Sequence, residues 1–191
     1  ELTKYPIEVK LNTEITDIKS FDADEVIIAT GSTPNVIPVR GGREYGIEAV
    51  AFLLGNKTVG DNVVIIGGGL TACEIAYELY LQGKTPVMIV RKDDVITTRG
   101  VCLANSSYLR DFFNANRVKI LYETKPVEIH ADGVTVCDKD GNTYKVESDS
   151  VILSTGYNSA PLAKKSKHIH PVGNANVVGN LRSVIWQAWD V

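Results

Sequence analysis

The chain has 191 residues, of which 44% are hydrophobic and 23% charged, and its formal net charge is −3. This composition is typical of a globular protein with one large domain or two small ones. The slight negative charge gives no electrostatic case for a nucleic acid or an anionic membrane as partner, and no apolar run approaches the roughly 20 residues that span a bilayer. The chain opens without Met or an apolar leader, which predicts a trimmed piece of a protein and gives no sign of a signal peptide.

Three scattered cysteines, Cys73, Cys102 and Cys137, form no CxxC pair. Neither a zinc site nor a redox dithiol is therefore predicted from them. Each is expected to be a small buried apolar residue, and a reducing, cytoplasmic compartment fits this usage. His168 and His170 have the spacing of strand neighbours, but no carboxylate or cysteine cluster accompanies them, so no metal site is predicted.

The first third of the chain is expected to contain two strands and a helix. Residues 7–11 alternate in polarity, and residues 25–29 form a short, nearly continuous apolar run that ends in a Thr30-Gly31 turn. A Gly-rich connection over residues 40–46 then leads to a helix predicted around residues 47–54.

Residues 63–94 have the order strand, glycine turn, helix and second strand. The helix is predicted over residues 70–82, because apolar residues recur there with helical spacing. The second strand is predicted over residues 85–90, and another helix over residues 105–116.

Three short strands with a period of two follow, at residues 127–130, 134–137 and 143–146. They predict an antiparallel meander before the last strand of the parallel sheet, residues 150–153. That strand ends in a second turn, Thr155-Gly156. The predicted fold class is therefore α/β, with a Rossmann-like nucleotide-binding domain whose last crossover is a three-stranded β-meander.

The glycine turn matches the G-x-G-x-x-G/A pattern at Gly67, Gly69 and Ala72, with a strand before it and a helix after it. Gly67 permits the tight turn, Gly69 lets a pyrophosphate approach the backbone, and Ala72 lets helix and strand pack closely. The helix N-terminus at Leu70 and Thr71 adds free N–H groups and a positive dipole end. These five residues are predicted to bind the cofactor; the alternative is a tight turn without a ligand.

Glu74, Arg91 and Lys92 each have two interpretations. Glu74, expected in the first turn of the helix, either complements the helix dipole or points at the nicotinamide. Arg91 and Lys92 stand at the strand tip where Asp or Glu usually binds the adenosine ribose. An arginine there offers a planar fork for a 2′-phosphate, which favours NADP(H) over NAD(H). The alternative is a solvated basic pair that Asp93 and Asp94 partly neutralise.

Together these stretches resemble flavoproteins with two dinucleotide-binding domains. "ATGSTPNVIPVRG", "LLGNKTVGDNVVIIGGG", "VILSTGY" and "HPVGNA" are similar to the C-terminal half of the 2-enoate reductase and 2,4-dienoyl-CoA reductase family, of old yellow enzyme type. The resemblance implies that NAD(P)H bound by residues 58–148 reduces FAD held by residues 1–57 and 149–191, a partial FAD-binding domain. Electrons would then pass through an iron–sulfur cluster to FMN in a separate barrel, where an activated C=C bond is reduced.

The resemblance also assigns residues to cofactors. Four residues match the family's turns near the FAD: Thr30, Gly31, Thr155 and Gly156. Glu74 matches an acid beside the nicotinamide. Asn174 stands where the family has an aspartate on the flavin ribityl chain, and its amide can still hydrogen-bond a hydroxyl without charge assistance. No catalytic residue is predicted within the chain.

The family's first GxGxxG unit, its barrel and its cluster cysteines have no counterpart in the sequence. The chain is therefore expected to be a fragment, with a last helix that begins near Val184. Its expected partners are the small-molecule cofactors, the remaining domains of the parent protein and, in a homo-oligomer, a second copy. Two alternatives stay open: a different flavoprotein such as an NADH oxidase, and a non-catalytic domain that binds ADP or another nucleotide.

Overall fold

The computed structural model describes residues 4–18, 21–98 and 100–191. None of the helices in these ranges has the length and hydropathy to cross a bilayer. The helices and strands are, in chain order, β1 (Val26–Ile28), β2 (Ser32–Pro34), α1 (Gly42–Tyr45), β3 (Gly46–Glu48), α2 (Ala49–Leu53), β4 (Asn62–Ile66), α3 (Leu70–Leu81), β5 (Thr85–Ile89), α4 (Leu103–Ala115), β6 (Lys119–Leu121), β7 (Lys125–His130), β8 (Gly133–Cys137), β9 (Thr143–Glu147), β10 (Ser150–Leu153), β11 (Tyr157–Ser159), β12 (Ile169–Pro171) and α5 (Leu181–Trp189).

The chain divides into two compact units, here called the terminal unit (Glu1–Thr33 and Tyr157–Val191) and the central unit (Pro34–Gly156). The central unit contains a five-stranded sheet in the order β3-β10-β4-β5-β6, in which every neighbouring pair is parallel. The chain first runs from β4 through β5 to β6, and β10 then returns to the other side of β4. The predicted Rossmann-like α/β fold is thus confirmed.

Both faces of this sheet are covered, which explains the continuous apolar sequence of β4. Val63 and Ile65 pack with the buried residues of α3 and α4, whereas Val64 and Ile66 pack with those of the meander β7-β8-β9. All four side chains are at most 4% exposed. Successive residues of a strand point to opposite faces, so a strand that is buried on both faces needs no polar positions.

The predicted meander is confirmed, since β7 pairs with β8 and β8 with β9, both antiparallel. The predicted helices and central strands are also present, with ends shifted by at most two residues at α3, α4 and β5. These long, strongly periodic segments are decided by their own sequence, because each has one or two faces that must be buried.

Three features differ from the sequence-based expectation. Residues 7–11 form no strand: Ile7, Val9 and Leu11 are between 53% and 78% exposed, and no described strand pairs with them. The connection before α2 contains α1 and β3, so the predicted helix begins only at Ala49. The short edge strand β6 was not predicted. Both β3 and β6 are three residues long, too short for a periodic signal, and become strands by pairing with β10 and β5.

The predicted domain limits, 57/58 and 148/149, both fall inside the central unit. β3 precedes the first limit and β10 follows the second, yet β10 pairs with both β3 and β4 in one sheet. Strand pairing therefore joins residues on both sides of these limits. The assignment of FAD and pyridine nucleotide to separate parts of the chain remains a prediction.

The terminal unit contains the two-stranded sheet β1-β12, the helix α5, and the strand β11 with the first two residues of its partner β2, which ends at Pro34. The helix begins three residues before the predicted Val184, after a capping box of Asn180 and Ser183. One carboxylate, that of Glu25, accompanies the two histidines, and no group of three or more such side chains that could hold a metal ion is found among the described residues. The Glu25 carboxylate lies 3.0 Å from His168 Nδ1 and 2.7 Å from His170 Nε2. These two hydrogen bonds lower the pKa of the Glu25 carboxyl group.

Candidate functional site

A cleft of about 620 Å³ lies in the central unit at the carboxyl ends of β4, β5 and β10. Its volume is within the range of small-molecule sites, roughly 300–1,000 Å³. It lies where the strand order reverses between β4 and β10, the position at which open α/β sheets bind ligands. The lining residues are 35–39, 66–69, 89–92, 94, 97, 98, 125, 126 and 154–156.

Gly67 lets the chain turn tightly between the ends of β5 and β10. Its N–H donates to the carbonyl oxygen of Ile89 at 3.0 Å. Its φ is +143°, a backbone angle that residues with a side chain rarely adopt. A Cβ at Gly67 would collide with the backbone carbonyl oxygen of Ser154. Only glycine therefore fits this position without a backbone shift.

Gly69 leaves open space at the start of α3. It is exposed, has φ −78° and ψ 176° as the N-cap, and a Cβ there would meet no atom within 4 Å. Among the described residues, none accepts a hydrogen bond from the N–H groups of Gly68, Gly69, Leu70 and Thr71. Unpartnered N–H groups at a helix N-terminus, beside open space, fit an anionic phosphate.

Ala72 and Glu74 occupy different environments on α3. Ala72 is fully buried, and its methyl group would lie 3.5 Å from a Cβ on Gly67, so the small side chain allows the turn to pack on the helix. Glu74 is the fifth residue of α3, and the first turn contains no acid, so its predicted first-turn position is wrong. Its exposed side chain makes no hydrogen bond or ion pair with any described residue, and its role at the nicotinamide remains a prediction.

Arg91 and Lys92 line the cleft directly after β5, and both are exposed. Lys92 Nζ donates to Thr97 Oγ1 at 2.6 Å. Asp94 is the one acidic residue among those that line the cleft. Its carboxylate is bound by Arg110 of α4, with an Nη2–Oδ2 distance of 2.9 Å, and this contact lowers the pKa of the Asp94 carboxyl group.

Thr155 and Gly156 also line the cleft, and Asn35 connects them to the other side of its rim. Thr155 Oγ1 donates to the Asn35 carbonyl at 3.1 Å, and Asn35 Nδ2 donates to the Thr155 carbonyl at 3.1 Å. A third bond runs from Asn35 N to the Gly156 carbonyl at 2.9 Å. The Thr155 hydroxyl proton thus has a structural partner within the chain.

Sequence reasoning did not identify Asn35 or Lys125 as site residues. Asn35 carried a weak signal, because it follows the Thr30-Gly31 turn within a stretch that resembles flavoproteins. Lys125 begins the first strand of the meander and carries no motif. It reaches the cleft because β7 starts soon after β6, at the carboxyl edge of the sheet.

Thr30, Gly31 and Asn174 belong to the terminal unit. Thr30 Oγ1 donates to the Ala160 carbonyl at 2.7 Å, and Gly31 has φ +78°, where a Cβ would meet no atom within 4 Å. Asn174 Oδ1 accepts a bond from Gly179 N at 3.1 Å, and within the described residues its Nδ2 donates to no acceptor. That amide donor fits a ligand hydroxyl, whereas the roles of Thr30 and Gly31 at a flavin remain predictions.

The cysteines differ in their exposure, contrary to the expectation that all three are buried. Cys73 is buried on α3, and burial raises the pKa of its thiol to about 12. Cys102 is exposed and Cys137 is half-buried. Cys102 ends the loop before α4, where it serves as the N-cap residue of that helix.

Thiol reactivity should follow this difference. In the native protein at pH 8 we expect Ellman's reagent to modify Cys102 quickly and to leave Cys73 unmodified, because a buried thiol with a raised pKa supplies almost no thiolate. Unfolding in guanidinium chloride should expose all three cysteines. Peptide mass mapping of a Cys102→Ser variant provides the control, and rapid native modification of Cys73 in it would contradict the prediction.

Comparison with known proteins shows that the chain is similar to part of several oxidoreductases. The profile of the pyridine nucleotide-disulphide oxidoreductase family matches residues 4–177. A cinnamate reductase of Clostridium sporogenes is 34% identical over 97% of the chain and 29% of its own length. An NADH oxidase of Thermoanaerobacter brockii is 24% identical over 100% of the chain and 31% of its own length.

The fold matches solved structures as well. A 2-naphthoyl-CoA reductase in complex with 2-naphthoyl-CoA superposes with a TM-score of 0.77 at 22% identity, over 87% of this chain and 26% of that chain. The chain thus spans less than a third of the length of these relatives. The similarities confirm the resemblance that the motifs predicted. The chain belongs to the pyridine nucleotide-disulphide oxidoreductase family, whose members bind FAD and a pyridine nucleotide.

Proposed function

We propose that the central unit binds NAD(P)H in its cleft, and that the chain is the nucleotide- and FAD-binding part of an enzyme that reduces an activated C=C bond. The observation that carries the proposal is the group of N–H donors from Gly68 to Thr71, which bind no acceptor in the described part of the chain and lie beside open space at Gly69. Bound NAD(P)H supplies a hydride. The residues of this chain bind the nucleotide and orient it.

The rigid N–H groups at the start of α3, where the pyrophosphate would bind, support this proposal. The N–H groups at the start of α3 are fixed before any ligand arrives, because α3 packs through Ala72, Cys73 and Ile75 onto the sheet. A pyrophosphate accepting from them gains charge-assisted hydrogen bonds without reordering the backbone. The positive end of the helix dipole adds to the attraction.

The cationic side chains that line the cleft near the expected adenosine ribose favour NADP(H) over NAD(H). Arg91, Lys92 and Lys125 bring three cationic side chains to the lining, against the single acid Asp94. Arg110, which does not line the cleft, already binds that acid, so Asp94 offers little compensation to Arg91. An uncompensated arginine at this position suits a dianionic 2′-phosphate.

The test is a calorimetric titration of the chain with NADPH, NADH and ADP. One charge-assisted bond contributes about 1.5–3 kcal/mol, so NADPH should bind about ten- to a hundredfold more tightly than NADH. Arg91→Glu is expected to abolish this preference. Arg43→Glu makes the same charge change at an exposed position of the central unit that does not line the cleft, and should retain the preference.

Tighter binding of NADH than NADPH by the unmodified chain would contradict the 2′-phosphate assignment. Binding of ADP alone, without either dinucleotide, would contradict a redox role and favour a non-catalytic nucleotide domain. Loss of the NADPH preference in the Arg43→Glu variant would show that overall charge, and not Arg91, sets it.

We also propose that residues 1–57 and 149–191 hold FAD, where the Asn174 amide group, which donates to no acceptor among the described residues, is one candidate donor. FMN and an iron–sulfur cluster are proposed for the part of the parent protein outside this chain, which supplies its partner domains. A cytoplasmic location and a homo-oligomeric parent belong to the same proposal. The support for C=C reduction is the 34% identity to the Clostridium sporogenes cinnamate reductase. In that reaction NAD(P)H and a proton reduce the double bond, and NAD(P)⁺ is released.

The second candidate function is an NADH oxidase, favoured by 24% identity over the whole chain to the Thermoanaerobacter brockii enzyme. The rate of NAD(P)H oxidation by the parent protein, measured with and without oxygen, distinguishes the C=C reductase from the oxidase. A C=C reductase consumes NAD(P)H without oxygen once an α,β-unsaturated acid such as cinnamate is added. An oxidase consumes it only with oxygen, and a nucleotide-binding domain without catalysis consumes it under neither condition.

A further inference from the structure

The loop after β5 has a strained backbone next to the glycine turn. Ile96 has φ +53°, a left-handed conformation that a β-branched residue rarely adopts. Its side chain is only 4% exposed, and its N–H donates to the Gly68 carbonyl at 2.7 Å. The loop that carries Arg91 and Lys92 is therefore tied directly to the turn that carries the phosphate-binding N–H groups.

Arg110 of α4 holds this loop through three successive residues. Its Nε lies 3.1 Å from each carboxylate oxygen of Asp94, and its Nη2 donates to the Val95 carbonyl at 2.6 Å and to the Ile96 carbonyl at 3.4 Å. Asp94 Oδ1 in turn accepts from Val95 N at 2.7 Å. One guanidinium group thus fixes both the side chain of Asp94 and the backbone that precedes and includes the strained residue.

The helix that carries Arg110 is itself anchored to α3. Leu109 and Phe113, on either side of Arg110 in α4, are buried in the core shared with α3. The Phe112 ring contacts the Tyr77 ring edge-to-face with centroids 4.6 Å apart. Since α3 begins at the glycine turn, Arg110 connects the loop to the same rigid element that presents the phosphate-binding N–H groups.

We propose that Arg110 is a positioning residue for cofactor discrimination: it holds residues 91–98 against the glycine turn, so that Arg91 and Lys92 meet the adenosine ribose. The selectivity between NADP(H) and NAD(H) then depends on a residue of α4 that does not itself line the cleft. The identity of the ligand rests on the function proposed above. The hold on the loop rests only on the contacts of Arg110.

The test compares Arg110→Met, which keeps the apolar stem and removes the guanidinium, with Arg43→Met as an exposed control in the same unit. The Kd for NADPH should rise about tenfold and the Kd for NADH no more than about twofold, because only the 2′-phosphate contacts depend on the loop. Hydrogen exchange of the Ile96 amide, followed by NMR, should accelerate about tenfold or more, while amides of β4 keep their rates. The control should change neither quantity.

Arg110→Lys is a second variant, which keeps the proposal testable if Arg110→Met fails to fold. An ammonium offers its donors from one nitrogen and cannot reproduce the contacts that Arg110 makes through the separate Nε and Nη2 atoms, so this variant should also lose selectivity, although its charge is unchanged. Equal weakening of NADPH and NADH, or an unchanged Ile96 amide, would overturn the proposal and leave Arg110 a purely structural residue. If the unmodified chain binds neither nucleotide, the proposed function fails, and the exchange rate of Ile96 alone decides whether Arg110 holds the loop.

Discussion

Gly67→Ala is expected to lower the free energy of unfolding by about 3 kcal/mol and to abolish nucleotide binding. Gly67 has φ +143°, where a side chain is strained, and the added methyl group would collide with the Ser154 carbonyl at the end of β10. That oxygen is part of the backbone and cannot rotate away. The turn or β10 must therefore shift, and the N–H groups at the start of α3 move with the turn.

Urea denaturation followed by circular dichroism measures this loss, with Gly69→Ala as the matched control. The control makes the same substitution two residues later, at φ −78° and with no atom within 4 Å of the new methyl group. Its free energy of unfolding should stay within about 1 kcal/mol of the unmodified protein. Equal stability of the two variants would show that the turn is less constrained than its geometry indicates.

Gly69→Val is expected to weaken nucleotide binding strongly with little effect on folding. The backbone conformation at Gly69 suits valine, and the side chain projects into open space. That space is where a pyrophosphate would approach the N–H groups of the turn. Loss of one or two hydrogen bonds to a charged phosphate costs about 3 kcal/mol, so the Kd should rise about a hundredfold.

Calorimetric titration with NADPH measures this effect, and thermal unfolding verifies the fold. Ala104→Val adds a branched side chain at an exposed position of α4 outside the cleft lining and should bind NADPH normally. An unchanged affinity for NADPH in Gly69→Val would show that the glycine turn is not part of the nucleotide site. A large fall in melting temperature would instead show that Gly69 serves the fold.

Local sequence was sufficient to predict the strands and helices that surround the glycine turn. β4, α3, β5 and α4 were all predicted from the sequence, because each contains enough apolar residues with a regular period to identify its buried face. The meander was predicted for the same reason, with a period of two in place of a helical one. The turn between β4 and α3 was recognised from the spacing of Gly67, Gly69 and Ala72.

Residues 7–11 show where such a pattern fails. Their alternation predicted a strand, but a strand also needs a neighbour whose backbone can accept and donate hydrogen bonds, and the described residues provide none. β3 and β6 show the opposite case. Each of them has only three residues, too few for a periodic pattern of apolar side chains. They become strands because they pair with the edges of β10 and β5.

The sequence by itself determined the family resemblance, the α/β class, the glycine turn and the basic pair after β5, because each of these depends on residues close together in the chain. Only the tertiary structure decided that Asn35, Lys125 and Ser154 share one cleft with that turn, and that Arg110 rather than the basic pair binds Asp94. The physical reason is the sheet order: β10 returns beside β4 after the meander, and α4 packs on α3. These long-range contacts bring together side chains whose separation in sequence carries no period or motif.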